Sequence, residues 1–167
     1  MILTASVYLL FSALIAQVLY IILLWSGVSR LKLSQIAADV PPVSVIVCAH
    51  DEEQNLKELL PKLLSQEYNQ FEVIVVDDRS NDGTYDCLLK LAEQESRIKI
   101  VKVDRLPAHV NGKKYALTLG IKAASFDTVL LIDADCAPAS NHWISHMASG
   151  FALEQLAFVL GLSPYIR

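Results

Sequence analysis

One stretch decides the fold: Val129-Leu130-Leu131-Ile132-Asp133-Ala134-Asp135-Cys136, an apolar run that ends in two carboxylates one residue apart. Four consecutive branched aliphatic residues predict a strand buried on both faces, the kind found at the centre of a parallel sheet. In open α/β sheets the ligand crevice lies just beyond the carboxyl ends of the strands. We therefore expect Asp133 and Asp135 to lie on the floor of a binding site.

The spacing of these two aspartates suits a metal ion. Residues i and i+2 of an extended chain point the same way, which sets the carboxylates about 6–7 Å apart. At an effective dielectric constant of about 20, two such charges repel by about 2–3 kcal/mol. Mg²⁺ or Mn²⁺ would offset the repulsion and keep coordination sites free for phosphates. The alternative is that both aspartates are solvated at a loop entrance.

The first 28 residues predict a transmembrane anchor. No charged residue occurs from Ile2 to Val28, and the apolar run exceeds the ~20 residues that a membrane-spanning helix needs. A cleaved signal peptide would have a basic start and an apolar core of about 7–15 residues. Arg30 and Lys32 follow the span and nothing basic precedes it, so the rest of the chain is expected on the cytoplasmic side of an inner or plasma membrane.

The rest of the 167-residue chain predicts a tether over residues 29–42, ending at Pro41-Pro42, and one domain over residues 43–167. Strands are expected at 43–49, 71–76, 98–103, the opening stretch and about 157–162, with helices between them. This alternation predicts an α/β fold with a doubly wound, mostly parallel sheet and right-handed crossovers. Four polar residues are predicted to cap the helices, namely Asp51, Thr84, Asn111 and Ser140.

Acidic residues follow three of the predicted strands. His50 and Asp51 end the first strand, Asp77 and Asp78 the second, and the pair at 133 and 135 the fourth. Because the carboxyl ends of parallel strands share one sheet edge, these carboxylates are expected to converge. Carboxylates held close together cost free energy unless they share a ligand, so their convergence indicates a binding site.

Two lysines at a predicted helix start fit the same site. Asn111 would cap that helix, and Lys113 and Lys114 lie in its first turn, where the helix dipole disfavours cations by about 0.3–1 kcal/mol each. A diphosphate resting on the helix start would explain them. Two solvated surface lysines are the alternative.

Other candidate sites are weaker. His142 and His146 are four apart on a predicted helix, but no third ligand has suitable spacing and no Glu lies beside the first histidine. Cys48, Cys87 and Cys136 are odd in number and widely spaced, which indicates reduced, structural cysteines.

Four stretches together resemble the donor half of a family-two glycosyltransferase of the GT-A (Rossmann-like) fold. They are Pro42-Val43-Ser44-Val45-Ile46-Val47-Cys48-Ala49-His50-Asp51-Glu52, Val75-Val76-Asp77-Asp78-Arg79-Ser80-Asn81-Asp82-Gly83-Thr84, Gly112-Lys113-Lys114-Tyr115-Ala116-Leu117 and Asp133-Ala134-Asp135. The match is specific because all four occur in the family's order. The first departs from the family's usual Thr/Pro-Tyr-Asn-Glu ending, which leaves the role of His50 open.

The resemblance implies roles for individual residues of a nucleotide-sugar site. Ala49 and Glu52 would border the base and ribose, and Asp78, with Asp77 beside it, would hydrogen-bond the base, most often uracil. Lys113 or Lys114 would lie near the sugar-nucleotide and Asp133 near the ribose or donor sugar. Asp135, with Asp133 as the second candidate ligand, would hold the Mg²⁺ or Mn²⁺ that bridges the diphosphate.

The resemblance thus implies an inverting transferase that moves sugar from a nucleotide-diphospho-sugar, a UDP-sugar above all, to a lipid-linked or polysaccharide acceptor of the cell envelope, with no nucleic-acid partner. The family's general base is an aspartate in the acceptor half, expected beyond Arg167, so the chain is expected to be truncated and to transfer little. The alternatives are a nucleotidyltransferase, which would carry a Gly-rich basic loop after strand one, and a membrane-tethered module, receiver-like or nucleotide-sugar-binding, without transfer activity.

Overall fold

The computed structural model describes residues 2–29, 40–152, 158–159 and 161. The chain divides into two compact units, residues 1–33 and 34–167. The first contains helix α1 (Ile2–Ser29), which covers the apolar N-terminal segment. Within it, Ser6–Gly27 is long and apolar enough to cross a membrane by length and composition. Membrane insertion itself stays a prediction.

The second unit alternates strands with helices as predicted. Its elements are β1 (Val43–Ala49), α2 (Glu53–Leu64), β2 (Phe71–Asp78), α3 (Thr84–Gln94), β3 (Ile98–Val103), α4 (Gly112–Ala123), β4 (Thr128–Asp133), α5 (Trp143–Ser149) and a 3₁₀ turn (Gly150–Ala152). All strand pairs are parallel, in the order β3-β2-β1-β4. The predicted α/β fold with a parallel sheet is confirmed.

The strand order explains why the sheet is covered on both faces. From β1 the chain moves outward to β2 and β3, then returns past β1 to β4. Because crossovers between parallel strands are right-handed, reversing the direction moves the connecting helix to the other face. Accordingly α2 and α3, with α5, pack on the core face that contains Val45 and Val75, and α4 packs on the opposite face against Ile46 and Val76.

β4 differs from its prediction. Within the described residues it is an edge strand, paired only with β1, rather than the centre of the sheet. Leu130 is buried, but Leu131 is 54% exposed. The apolar run therefore predicted a strand correctly, and the described residues give this strand one neighbour, β1, instead of the two of a central strand.

The cap predictions had mixed outcomes. Asn111 caps α4, accepting a hydrogen bond from the Lys114 backbone N–H at 3.2 Å. Asp51 and Thr84 do not cap as expected: Glu52 and Gly83 occupy the cap positions of α2 and α3, without side-chain cap bonds. His142 occupies the cap position of α5, and Ser140 Oγ accepts from its backbone N–H at 3.3 Å. The strand expected at about 157–162 falls mostly outside the described residues, and positions 158, 159 and 161 are not in a strand.

A polar network centred on the buried Glu72 joins the amino-terminal ends of the strands. It lies at the end of the sheet opposite the acidic strand ends. Glu72 Oε1 accepts from Ser44 Oγ at 2.7 Å and from the Ser125 backbone N–H at 2.6 Å, and Lys99 Nζ lies 2.6 Å from Glu72 Oε2. Burial alone would raise the pKa of Glu72, but the hydrogen bonds from Lys99, Ser125 and Ser44 outweigh it and lower the pKa. The network fixes the connection between α4 and β4.

Candidate functional site

A cleft lies where the strand order reverses, at the carboxyl ends of β1 and β4. In doubly wound sheets the point where the strand order reverses is the usual ligand crevice. The cleft has a volume of about 210 Å³, and the residues that line it are Cys48, Ala49, His50, Glu52, Asp78, Lys113, Ala116, Asp133, Ala134 and Asp135. Six of the eight predicted binding residues are among them.

Asp133 and Lys113 form an ion pair at the mouth of this cleft. Asp133 is the last residue of β4, and its Oδ1 lies 2.9 Å from Lys113 Nζ in the first turn of α4. The hydrogen bond to Asp133 raises the pKa of Lys113 above its usual value. A lysine placed against the helix dipole therefore has a carboxylate partner, and both groups remain more than half exposed.

Asp135 is not placed by an extended chain as predicted. β4 ends at Asp133, and a turn closed by the Cys136 N–H and the Asp133 carbonyl at 3.1 Å carries Asp135. The estimate of 6–7 Å between the two carboxylates assumed a strand and does not apply to this turn. Asp135 nevertheless lines the cleft and is exposed to solvent.

The carboxylates present suit a divalent cation held jointly with a ligand, and not a cation held by protein alone. Within the described ranges no group of three or more His, Cys, Asp and Glu side chains could enclose a metal ion. Asp133 already has an ammonium partner, whereas Asp135 is an exposed carboxylate. Mg²⁺ and Mn²⁺ accept such a set, one or two carboxylates completed by phosphate oxygens and water.

Only one aspartate of the pair that ends β2 lines the cleft. Asp78 lines it, and both oxygens of its carboxylate accept hydrogen bonds from Arg79. Asp77 is 1% exposed and does not line the cleft: its Oδ1 accepts from the Ser80 N–H at 3.2 Å, and its Oδ2 is buried without a hydrogen-bond partner among the described residues. Asp77 thus shapes the loop after β2.

The loops after β1 and β2 are bonded to each other. Asp51 has a φ of 58°, and its Oδ1 accepts from the backbone N–H groups of Asn81 at 2.6 Å and Asp82 at 3.3 Å. The Glu52 N–H donates to Thr84 Oγ1 at 3.0 Å. These bonds use two of the four residues that were predicted as helix caps, Asp51 and Thr84, and they hold Glu52 at the cleft.

The remaining predicted residues divide between the cleft and the surface. Ala49 ends β1 and lines the cleft, and the neighbouring His50 ring contacts the Asp78 carbonyl oxygen through Nδ1 at 2.5 Å. Lys114 is exposed and does not line it. Sequence reasoning missed Cys48 as a lining residue, although it directly precedes Ala49. Burial raises the pKa of the Cys48 thiol, so the thiol is protonated at neutral pH.

The chain resembles known proteins over the residues that form the sheet and the cleft. Residues 44–167 match the family model described as Glycosyl transferase family 2. The chain is 32% identical over 123 residues to a 4,4'-diaponeurosporenoate glycosyltransferase of Staphylococcus haemolyticus, which covers 74% of this chain and 32% of that protein. It is 30% identical over 127 residues to a beta-monoglucosyldiacylglycerol synthase of Nostoc sp., which covers 75% of this chain and 26% of that protein.

Solved structures show the same fold. The mannosyltransferase PcManGT from Pyrobaculum calidifontis, in complex with GDP-Man and Mn²⁺, superposes with a TM-score of 0.62 at 25% identity, over 72% of this chain and 36% of that one. S. aureus TarS 1-349 in complex with UDP-GlcNAc gives a TM-score of 0.56 at 25% identity, over 66% of this chain and 31% of that one. The chain thus spans about a quarter to a third of the length of these relatives.

Proposed function

Because the chain belongs to glycosyl transferase family 2, we propose that its cleft binds a nucleotide-diphospho-sugar and that the protein transfers the sugar to a cell-envelope glycan or lipid-linked acceptor, with inversion and with a divalent cation. One observation carries the proposal: side chains from four separate segments, at the ends of β1, β2 and β4 and the start of α4, line one cleft at the switch point. That position is where an α/β sheet binds nucleotides.

The donor would lie across the cleft from β2 to β4. Asp78 would accept a hydrogen bond from the base, and Ala49 and Glu52 would border the base and ribose. Lys113 would contribute positive charge near the diphosphate, and Lys114 would add to the field from the surface of the same turn. Both PcManGT and TarS 1-349 were solved with a nucleotide sugar, which supports a donor of this class.

Asp135, with Asp133 beside it, would hold Mg²⁺ or Mn²⁺ together with the diphosphate. The cation, when bound, neutralises the charge that develops on the departing nucleoside diphosphate. The chain's own contribution is to hold the diphosphate between the start of α4 and the turn after β4. Inversion also requires a general base for the acceptor hydroxyl, and we propose that this base lies outside the described residues, because the cleft carboxylates serve the donor.

The acceptor and location are proposed from α1 and from the relatives. A helix able to span a membrane would hold residues 43–167, the proposed nucleotide-sugar-binding domain, close to lipid-linked acceptors, with residues 29–42 as a tether on the cytoplasmic side. The names of two relatives describe a glycolipid and an N-acetylglucosamine polymer as products: the Nostoc protein, and a poly-beta-1,6-N-acetyl-D-glucosamine synthase of Staphylococcus aureus that is 29% identical over 93 residues. These names support an envelope acceptor.

The first test is calorimetric titration of UDP and GDP into the full chain in detergent micelles, with Mn²⁺ or with EDTA. We expect one nucleotide to bind in Mn²⁺ and to lose at least about tenfold in affinity in EDTA or in Asp135→Asn, because a charge-assisted contact contributes about 1.5–3 kcal/mol. Asp127→Asn is the matched control, since Asp127 is exposed and immediately precedes β4, at its opposite end.

Failure of a folded chain to bind either nucleotide would contradict the proposal. Equal affinity in Mn²⁺ and EDTA would contradict the cation assignment alone. Release of UDP or GDP from the matching sugar nucleotide, measured with a lipid extract as acceptor source, separates a transferase from a module that binds the donor without transferring the sugar.

A further inference from the structure

The carboxylate of Asp78 is held by its neighbour in the chain. Arg79 Nε lies 2.8 Å from Asp78 Oδ1 and Nη2 lies 3.2 Å from Oδ2, so the guanidinium bonds both oxygens in a fork. The Asp78 side chain is 10% exposed and the Arg79 side chain 36%. Such a bidentate pair fixes the plane of the carboxylate in a way that a single lysine contact does not.

Three structural features hold the Asp78–Arg79 pair in place. Arg79 adopts a φ of 59°, an uncommon backbone conformation for a non-glycine residue, and this turns its side chain back onto Asp78. Gly112, the first residue of α4, packs so closely that a Cβ there would lie 2.8 Å from Asp78 Oδ2 and 2.9 Å from Arg79 Nη2. His50, at the end of β1, contacts the Asp78 carbonyl oxygen.

We propose that Arg79 is a specificity-determining positioning residue, which acts through Asp78 to restrict the cleft to nucleotides whose base presents a ring N–H. The inference rests on the proposed nucleotide-sugar site and adds to it a residue and a selection rule. Arg79 does not line the cleft, so its effect passes through the orientation of the Asp78 carboxylate.

The selection rule follows from hydrogen-bond capacity. A carboxylate has about four acceptor positions, of which the Arg79 fork occupies two on one side. The remaining positions can only accept, and they are fixed in direction because the fork cannot rotate away. Uracil N3–H and guanine N1–H can donate to them, whereas cytosine N3 and adenine N1 are acceptors. The amino groups of cytosine and adenine can donate only if the base shifts in the cleft, which a carboxylate of fixed direction disfavours.

Two matched pairs of nucleotides test the rule, UDP against CDP and GDP against ADP. Each is titrated into the full chain in micelles with Mn²⁺. In the wild type we expect the N–H member of one pair to bind about 30-fold more tightly than its partner; 30-fold corresponds to about 2 kcal/mol, the middle of the range that a buried unpaired acceptor costs. Arg79→Gln should reduce this ratio at least about tenfold, and Arg79→Lys, which keeps the charge without the fork, should give an intermediate ratio.

Arg97→Gln is the matched control. Arg97 forms the same kind of fork with Glu95, through Nε at 3.0 Å and Nη2 at 2.8 Å, immediately before β3 and therefore at the sheet edge opposite the cleft. Its loss should leave the nucleotide ratio unchanged. A ratio of two affinities measured on the same sample does not change when part of the protein is unfolded, so a general loss of structure would not imitate the effect.

Gly112→Ala is a second variant that removes no charged group. Its methyl group would displace the Asp78–Arg79 pair, and we expect the same fall in the ratio with folded helix content preserved by circular dichroism. A wild-type ratio in both Arg79→Gln and Gly112→Ala would overturn the inference. A wild type that prefers CDP or ADP, or has no preference, would overturn it while leaving nucleotide binding intact, and a wild type that binds none of the four would overturn the proposed function as well.

Discussion

The ammonium group of Lys113 lies 2.9 Å from Asp133 Oδ1, which joins the first turn of α4 to the end of β4. The described structure thus places a cation on one of the two carboxylates that could hold a metal ion. An exposed ion pair of this kind contributes about 0.2–1 kcal/mol and weakens with salt. The ion pair is strong enough for Lys113 to compete with a divalent cation for Asp133. It is also weak enough for Lys113 to leave Asp133 and pair with a diphosphate instead.

Lys113→Met should therefore have opposite effects on the affinity for Mn²⁺ and on the affinity for a nucleotide. Without nucleotide, Mn²⁺ affinity should rise about 2- to 5-fold, because Asp133 loses its competing ammonium group. Affinity for a nucleoside diphosphate should fall about tenfold, because a charge-assisted contact is lost. Mn²⁺ binding can be followed by electron paramagnetic resonance of the free ion.

Two variants control this experiment. Lys122→Met removes a lysine from the last turn of the same helix and should change neither affinity. Lys113→Met combined with Asp133→Asn should lower Mn²⁺ affinity to the wild-type value or below it, because the second change removes a carboxylate proposed to hold the ion. If the double variant keeps the tighter Mn²⁺ binding, Asp133 is not the group that Lys113 neutralises.

Glu72 should make stability depend on pH in the acid range. Its pKa is lowered in the folded state from a usual value of about 4.5, so its contribution is fully present above about pH 4.5 and is lost as pH falls through the folded-state pKa. Glu72→Gln should lower the free energy of unfolding by about 1–3 kcal/mol at pH 7 and by less at pH 3, because it leaves Lys99 without its carboxylate.

The measurement is urea unfolding followed by tryptophan fluorescence. The chain has two tryptophans, so a Trp25→Phe background leaves Trp143, which packs against the core. Equal destabilisation by Glu72→Gln at both pH values would show that the carboxylate charge does not contribute.

Gly120→Ala should destabilise the protein, although alanine normally favours a helix over glycine by about 1 kcal/mol. A Cβ at position 120 would lie 2.6 Å from Ile46 Cγ2 and 3.0 Å from Val76 Cγ2, so α4 would have to move away from the sheet. We expect a loss of about 1–3 kcal/mol in urea unfolding. Thr118→Ala, on the exposed side of α4, should be neutral or slightly stabilising, and a stabilising Gly120→Ala would contradict the close packing.

Asp51 should stabilise the loops through its side-chain acceptor rather than its charge. Asp51→Ala should cost about 1–2 kcal/mol, since it removes the acceptor for Asn81 and Asp82 and places alanine at a positive φ. Asp51→Asn keeps an oxygen acceptor and tolerates this φ, so it should cost less than half as much. Thermal unfolding of the two variants side by side gives the comparison, and equal losses would rule out the acceptor role.

The sequence was enough to predict the sheet, the parallel strands and the cleft at their carboxyl ends, because β1, β2 and β4 are mainly apolar runs with carboxylates at or just after their carboxyl ends. It also identified Asn111 as a cap and placed Lys113 among the residues that line the cleft. These predictions depend on local pattern and on the handedness of the crossovers, both of which are encoded in short segments.

Predictions that required long-range contacts were less successful. Asp77 and Asp78 are adjacent, but side chains alternate along a strand, and only the structure shows which of the two faces the cleft. Asp51 and Thr84 have the residue types of helix caps, yet each bonds to the other loop instead. The role inferred for Arg79 had no sequence signal, because it depends on a positive φ and on the approach of Gly112 from α4.

The reversal of strand order would also couple the proposed nucleotide binding to folding. The cleft residues extend from Cys48 to Asp135 along the chain, and no half of the sheet contains them all. A nucleotide that touches the ends of β1, β2 and β4 can bind only after both outward and return crossovers are complete. At a ligand concentration 100 times the dissociation constant, such exclusive binding would add about 2.7 kcal/mol to the free energy of unfolding. Because the donor would bind only the completely folded sheet, it would stabilise every strand at once. The bound state would therefore resist proteolysis at segments far from the ligand.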